Sequence, residues 1–322
     1  MNYTIIACRK ILIATTGLLL ILTISCSKDE KMDEAAGKMQ EFVISVAEYT
    51  RQFDPDFIII PQNGVELAYN MTDPANGFNT SYMDAVDGFA TEELFYFDEL
   101  AVDEERLDML RELREYGVVM VSDYLGRDEY IPDAINRNLS EGFLCFPRRA
   151  SDYYYTEIPD TIINSNNQDV NSLSDARNYL YLISTEEFTS KQEMLGQLSA
   201  TDFDILLIDL FYEDMMLTSS EIQQLKTKSN GGKRLVISYI NIGAAEEYRY
   251  YWQKGWKLHN PSWIKKNYEG YEGEYWVEFW NPEWQDIISG NNDSYMKKIL
   301  DAGFDGAYLD NVEAYYFLYS DE

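Results

Sequence analysis

Gly303-Phe304-Asp305-Gly306-Ala307-Tyr308-Leu309-Asp310-Asn311, near the C-terminus, reads as a short buried strand that ends in a carboxylate and a carboxamide. Side chains alternate faces along a strand, so Phe304, Gly306, Tyr308 and Asp310 share one side. Asp310 then stands at the strand's exit, where enzymes built from parallel strands and helices keep their chemistry. A carboxylate there can be a nucleophile, a general base or only the N-cap of the next helix.

Outward from this segment the chain alternates strand and helix patterns. Buried, β-branched runs centre near residues 57, 86, 118, 178, 204, 235, 275 and 304. Helical patterns cover 39–53, 104–116, 188–198, 219–228 and 295–302. Eight such strands, mostly separated by helices, predict an α/β chain folded as a single (β/α)8 TIM-type barrel. Residues 142–149 read as a further strand or an ordered loop, and 150–177 as a long polar surface connection.

The N-terminus reads as an export signal. Arg9 and Lys10 precede an almost wholly apolar run over 11–24, too short to span a bilayer. Leu22-Thr23-Ile24-Ser25-Cys26 resembles a lipoprotein cleavage box with Cys26 as the lipidated residue, although Thr23 departs from the usual large aliphatic. Ser27-Lys28-Asp29-Glu30 resembles the acidic tag that directs bacterial lipoproteins to the cell surface. The expected organisation is a signal over 1–25, an acidic tether over 26–37 and one barrel domain over 38–322, held to the outer membrane by lipid and acting as a monomer.

Composition narrows the chemistry. With 26 basic and 56 acidic residues the formal charge is −30, which argues against nucleic acid, suits a cationic substrate and keeps an exported protein soluble. His259 is the single histidine, so a Ser-His-Asp triad or a histidine-rich zinc site is not expected, and no metal or cofactor is. Of three cysteines, Cys8 leaves with the signal, Cys26 carries lipid and Cys145 stands alone. Acid–base work near neutral pH falls to Asp, Glu, Tyr or Lys.

Polar residues gather at the expected strand exits: Asn63, Glu92, Asp123, Asp209, Tyr239, Asn241, Glu246 and Asp310. A barrel brings such ends to one mouth. Carboxylates around a mouth fit glycoside hydrolysis, in which one acid protonates the leaving oxygen and a second attacks the sugar or activates water. Taken singly, Asp123 and Asp209 read equally well as buried, hydrogen-bonded acids. The chain also has 26 Tyr and 6 Trp, several in loops, among them Tyr153 to Tyr155, Tyr248 to Trp252 and Trp280. Flat rings stack on sugar faces, although ordinary packing accounts for many of them.

The blocks Leu235 to Trp252, Tyr275 to Trp284 and Gly303 to Tyr315 resemble signatures of glycoside hydrolase family 114, as do Ile60-Pro61-Gln62-Asn63-Gly64 and Asp87-Gly88-Phe89-Ala90-Thr91-Glu92. The resemblance covers about residues 40–320. It implies a β/α barrel and an endo-α-1,4-polygalactosaminidase-like hydrolysis of an amino-sugar polysaccharide. Carried over by position, it implies Asp310 as nucleophile or stabilising carboxylate and Glu92 as general acid/base, with Glu93 the alternative if the register moves by one. Asp209, Tyr239, Glu246, Asn63, Asp123 and Trp280 are the expected substrate-binding residues. Some relatives carry a cysteinyl-tRNA synthetase label, which a chain with one histidine does not support. Ala244 stands where relatives often have Glu. The Pro-Gln-Asn-Gly block precedes the Tyr-Leu-Asp block here, the reverse of many relatives, which implies a circular permutation and places Glu41 and Tyr316 on one side of the barrel. The reading from a different class is a non-catalytic, glycan-binding surface lipoprotein.

Overall fold

The computed structural model describes residues 4–320, with side chains from Lys28 to Ser320. The expected signal and the lipidation at Cys26 lie outside the described side chains. Eight parallel strands carry the fold: β1 (Ile58–Pro61), β2 (Gly88–Leu100), β3 (Val118–Leu125), β4 (Leu144–Cys145), β5 (Tyr179–Leu182), β6 (Ile205–Asp209), β7 (Leu235–Asn241) and β8 (Gly306–Asp310). They form two parallel sheets, β1-β8-β7-β6-β5 and β2-β3-β4. Strands β1, β5, β6 and β7 are buried along their whole length, as their unbroken apolar runs require when both faces are covered.

The two sheets meet at β1 and β2. Gln62 and Ala90 form a parallel bridge, the Asn63 N–H donates to the Ala90 carbonyl at 2.8 Å, and the Asp87 N–H donates to Ile59 at 2.9 Å. At the opposite seam no ladder joins β4 to β5 among the described residues. Aromatic rings fill it: Phe146 packs on Tyr179 at 5.8 Å and on Tyr181 at 6.4 Å.

Two strand assignments change. The expected strand near 275 is not part of the parallel set. Glu274–Val277 instead lies between Ala244–Glu246 and Ile264–Asn267 in a small antiparallel sheet beyond the exit of β7. Its place among the eight is taken by β4, whose two residues are too few to show a period. The first helix is also longer than expected. It runs Thr4–Arg51, and one face of it is buried, beginning at Ala35, so the body of the protein begins inside the expected tether. The residues just before the run centred near 86 form the short helix Thr80–Ala85, which contains Tyr82.

Close backbone approach explains two glycines. A Cβ on Gly306 would lie 2.5 Å from the Ile58 carbonyl oxygen, so β8 and β1 pair only if that position is bare. A Cβ on Gly243 would lie 1.9 Å from the Asn311 carbonyl oxygen, so the turns after β7 and β8 interlock. Helix Thr4–Arg51 packs against the C-terminal helix Ala314–Phe317, which brings the elements holding Glu41 and Tyr316 together. Gly306→Ala is expected to destabilise the protein by about 2 kcal/mol or more, because backbone rather than a flexible side chain meets the new methyl. Urea denaturation checks this, and an unchanged midpoint would mean that β1 and β8 can move apart.

Candidate active site

The strand exits open into a cleft of about 610 Å³. Register places its residues. In β7, Tyr239 lies opposite Asp209 of β6, and Asn241 lies opposite Asp310 of β8. Asn63 follows β1, and Glu92 lies in β2 at the far side of the Gln62–Ala90 bridge. Asp310, Glu92, Asp209, Tyr239, Glu246 and Asn63 all line the cleft, which gathers residues separated by as much as the distance from Asn63 to Asp310 in sequence.

Asp310 is strongly perturbed. Burial pushes its carboxyl up to about 7, and the negative charges of Glu92 and Glu246 add to the effect. Hydrogen bonds oppose it: the Tyr239 hydroxyl donates to Oδ2 at 2.5 Å and the Asn311 N–H to Oδ1 at 2.7 Å. Asp310 is not the cap of the next helix, whose N-cap position is Glu313. Glu92 accepts from the Tyr155 hydroxyl, and Arg148 Nη1 lies 3.7 Å from its Oε1. The Asn63 side-chain oxygen accepts from the Glu92 N–H at 3.1 Å and from the Thr91 hydroxyl at 3.2 Å, so it braces the strand from behind.

A second group surrounds Arg249. Its guanidinium meets Asp209 at 2.8 Å and Glu246 at 2.7 Å, all three side chains being buried. The Tyr248 hydroxyl donates to Glu246 at 2.5 Å. Burial raises the Asp209 carboxyl, Arg249 lowers it, and the rise prevails. One guanidinium thus offsets two buried carboxylates, which neither could tolerate alone.

Two expected contacts lie elsewhere. Asp123 is fully buried and accepts the N–H groups of Phe95 and Tyr96 at 2.7 and 3.1 Å and the Asn138 amide at 2.8 Å. Its neighbour Ser122 meets the cleft-lining Tyr155 hydroxyl at 2.9 Å. Strand alternation therefore turns Asp123 outward, where it serves the irregular part of β2. Trp280 also lies away from the cleft, stacked edge-on to Phe279 and under the Lys38 ammonium at 4.5 Å. Trp263, Trp276 and Trp284 are core residues. The exposed rings at the cleft are tyrosines: Tyr153, Tyr154, Tyr248, Tyr250 and Tyr271.

Five lining carboxylates have no place in the sequence reading, Glu186, Glu213, Asp214, Glu274 and Glu313, and the last two are strongly perturbed. Glu274 is directly opposite Glu246 in the antiparallel sheet, and its carboxyl is pushed up to about 8, first by burial and then by Glu246 and Asp310. Glu313 is pushed up to about 7 by burial, with Glu66 adding and Arg106 opposing. Glu313 follows Asp310 by three residues, a proximity legible in the sequence. Glu274 was hidden because its strand read as one of the eight. Left-handed backbone also collects here, at Asn63 (φ 59°), Glu93 (57°), Tyr155 (56°) and Asn311 (61°). Asn adopts this conformation with little penalty, whereas for Glu93 and Tyr155 it costs about 1 kcal/mol or more, a cost found where function overrides local preference.

The fold and cleft define a class: an α/β protein with parallel central sheets and a carboxylate-lined cleft at the strand exits. Residues 175–322, somewhat less than half of the chain, match the model of glycoside-hydrolase family GH114. The chain is similar to uncharacterized proteins of Thermotoga maritima (30% identical over 119 residues), Deinococcus radiodurans (34% over 124) and Methanocaldococcus jannaschii (36% over 124). These matches cover 37%, 38% and 38% of this chain and 35%, 38% and 34% of the relatives' own length.

A carboxyl raised in the folded protein binds more protons folded than unfolded between its two values, so its contribution to stability is complete below about 4 and is lost as pH rises through about 7. Asp310→Asn is therefore expected to melt at higher temperature than the unaltered protein at pH 8, by roughly 2 °C or more. The gap should close as pH falls toward 4. Paired thermal melts across this range check it, and a constant gap would separate Asp310 from the effect.

Proposed function

We propose that this chain is a glycoside hydrolase that cleaves an amino-sugar polysaccharide, galactosamine-containing in the first instance, with Asp310 and Glu92 as its two working carboxylates. The observation that carries the reading is that one cleft receives Asp310 from β8 and Glu92 from β2, and that Glu92 charge is felt at Asp310. The reaction needs a pair of carboxylates flanking the scissile bond. In this reading Asp310 is the nucleophile or stabilising carboxylate and Glu92 the general acid/base. Asp209, Tyr239, Glu246 and Asn63 shape the sugar subsite.

The charge of the cleft supports an amino sugar. Nine carboxylate side chains line it against two arginines, and both arginines are already paired with carboxylates. Such a surface attracts ammonium groups and repels acidic glycans. The exposed tyrosines at the rim offer flat faces for sugar rings beyond the central residue.

The same reading takes the eight strands as a closed barrel, circularly permuted relative to family members. It is supported by the β1–β8 ladder, by the bridge between β1 and β2, and by a family match that begins just before β5 and contains β5 to β8. It also takes the protein as exported and lipid-anchored at the outer membrane through Cys26, acting as a monomer.

Purified protein is to be screened on galactosamine-containing and other amino-sugar polymers beside Asp310→Asn and Glu92→Gln. Each substitution is expected to lower hydrolysis by at least about a hundredfold, the lower end of what general acid–base catalysis contributes. Equal rates in all three would remove both residues from the mechanism. Binding of polymer without cleavage by the unaltered protein would favour the glycan-binding reading instead.

A further inference from the structure

Glu92 and Glu93 are consecutive carboxylates in β2, yet only Glu92 lines the cleft. In a regular strand the backbone alone would send them to opposite faces. Here it does not decide, because the ladder between β2 and β3 is irregular from Glu92 to Phe97 and Glu93 is left-handed. Side-chain contacts must make the choice.

Two residues from the segment after β4 make those contacts. Arg148 is 5% exposed. Its Nη2 donates to Glu93 Oε1 at 2.9 Å, its Nη1 donates to the Tyr153 carbonyl at 3.2 Å and lies 3.7 Å from Glu92 Oε1. The guanidinium is held over the rings of Tyr124, Tyr153 and Tyr155 at 5.0, 5.0 and 4.8 Å. Its Nε is buried without a hydrogen-bond partner among the described residues. Tyr155 donates its hydroxyl to Glu92, meets Ser122 Oγ at 2.9 Å, and stacks on Tyr181 at 3.8 Å between centroids. Its left-handed backbone shows that the hydroxyl is delivered against local preference.

We propose that Arg148 and Tyr155 are positioning residues for Glu92: Arg148 draws Glu93 out of the cleft, and Tyr155 fixes the Glu92 carboxylate within the space it shares with Asp310. This rests on the reading of Glu92 and Asp310 as the working pair. The other groups facing Glu92 are Asn63 at its N–H, Arg106 at its carbonyl, and the charge of Asp310. Of the two cations, only Arg148 reaches the carboxylate. Orientation of a reacting group acts on the chemical step, and a loosely held Glu92 would lose it while substrate still bound.

The test compares Arg148→Met, Arg148→Lys and Tyr155→Phe with the unaltered protein on whichever amino-sugar polymer it cleaves, after thermal melting has established that each is folded. Arg148→Met and Tyr155→Phe are expected to lower kcat roughly tenfold or more with KM within about twofold. Arg148→Lys should recover part of the loss. Unaltered kcat in both, or a raised KM at constant kcat, would overturn the proposal. A second measurement needs no substrate. The carboxyl-carbon resonance that Glu92→Gln removes should change position in both Arg148→Met and Tyr155→Phe, whose contacts hold that carboxylate, and an unmoved resonance would also overturn the proposal. A moved resonance in a protein that cleaves nothing would overturn the catalytic reading and leave the positioning intact.

Discussion

Two-sided hydrogen bonding of β8 is the constraint on which the rest of this molecule depends. The last strand of the chain lies between β7 and β1, so the first and last strands are neighbours. Its partners approach so closely that Gly306 must be bare against Ile58, and Gly243 against Asn311. That pairing fixes the height of Asp310 against Asn241, and through β7 against Asp209. A one-residue slip would turn Asp310 to the opposite face and break the cleft. The interlocked turns after β7 and β8 make such a slip sterically costly.

Electrostatic tension is the second organising feature. Asp310, Glu274 and Glu313 all hold their protons more tightly than free carboxyls, and burial is the first cause for each. Two arginines relieve the crowding at specific points: Arg249 between Asp209 and Glu246, and Arg148 between Glu92 and Glu93. The cleft is therefore divided. Some carboxylates are neutralised within the protein, while Glu274 has no side-chain partner among the described residues. Stability given up in this arrangement is characteristic of sites shaped for binding and catalysis.

Much of the framework was legible. The segments 57–60, 118–121, 204–208, 235–241 and 306–309 are apolar and β-branched enough to declare buried strands. Glycine and polar residues at their ends marked Asn63, Asp209, Asn241 and Asp310. The failures have definite causes. Leu144–Cys145 is too short to carry a period, so the sequence left 142–149 open between strand and loop, and Glu274–Val277 has the composition of a strand but pairs outside the parallel set. Asp123 was misplaced because composition does not reveal which face of β3 meets the cleft. Trp280 was over-read, since a ring suited to stacking on sugar is equally suited to packing within the protein. Tyr155, one of three consecutive tyrosines, gave no sign that it would serve a carboxylate rather than a sugar face.

By itself the sequence determined the alternation of strand and helix, the acidic character, the near absence of histidine, and Asp310 at the end of a buried strand. These are properties of composition and of short periods, which neighbouring residues specify. Only the tertiary structure decided that Glu92 and Asp310 share a cleft, that Arg148 separates Glu92 from Glu93, and that Glu246 and Glu274 stand opposite one another. Those relations depend on which strands pair and in what register, and register is set by side-chain packing between segments far apart in the chain.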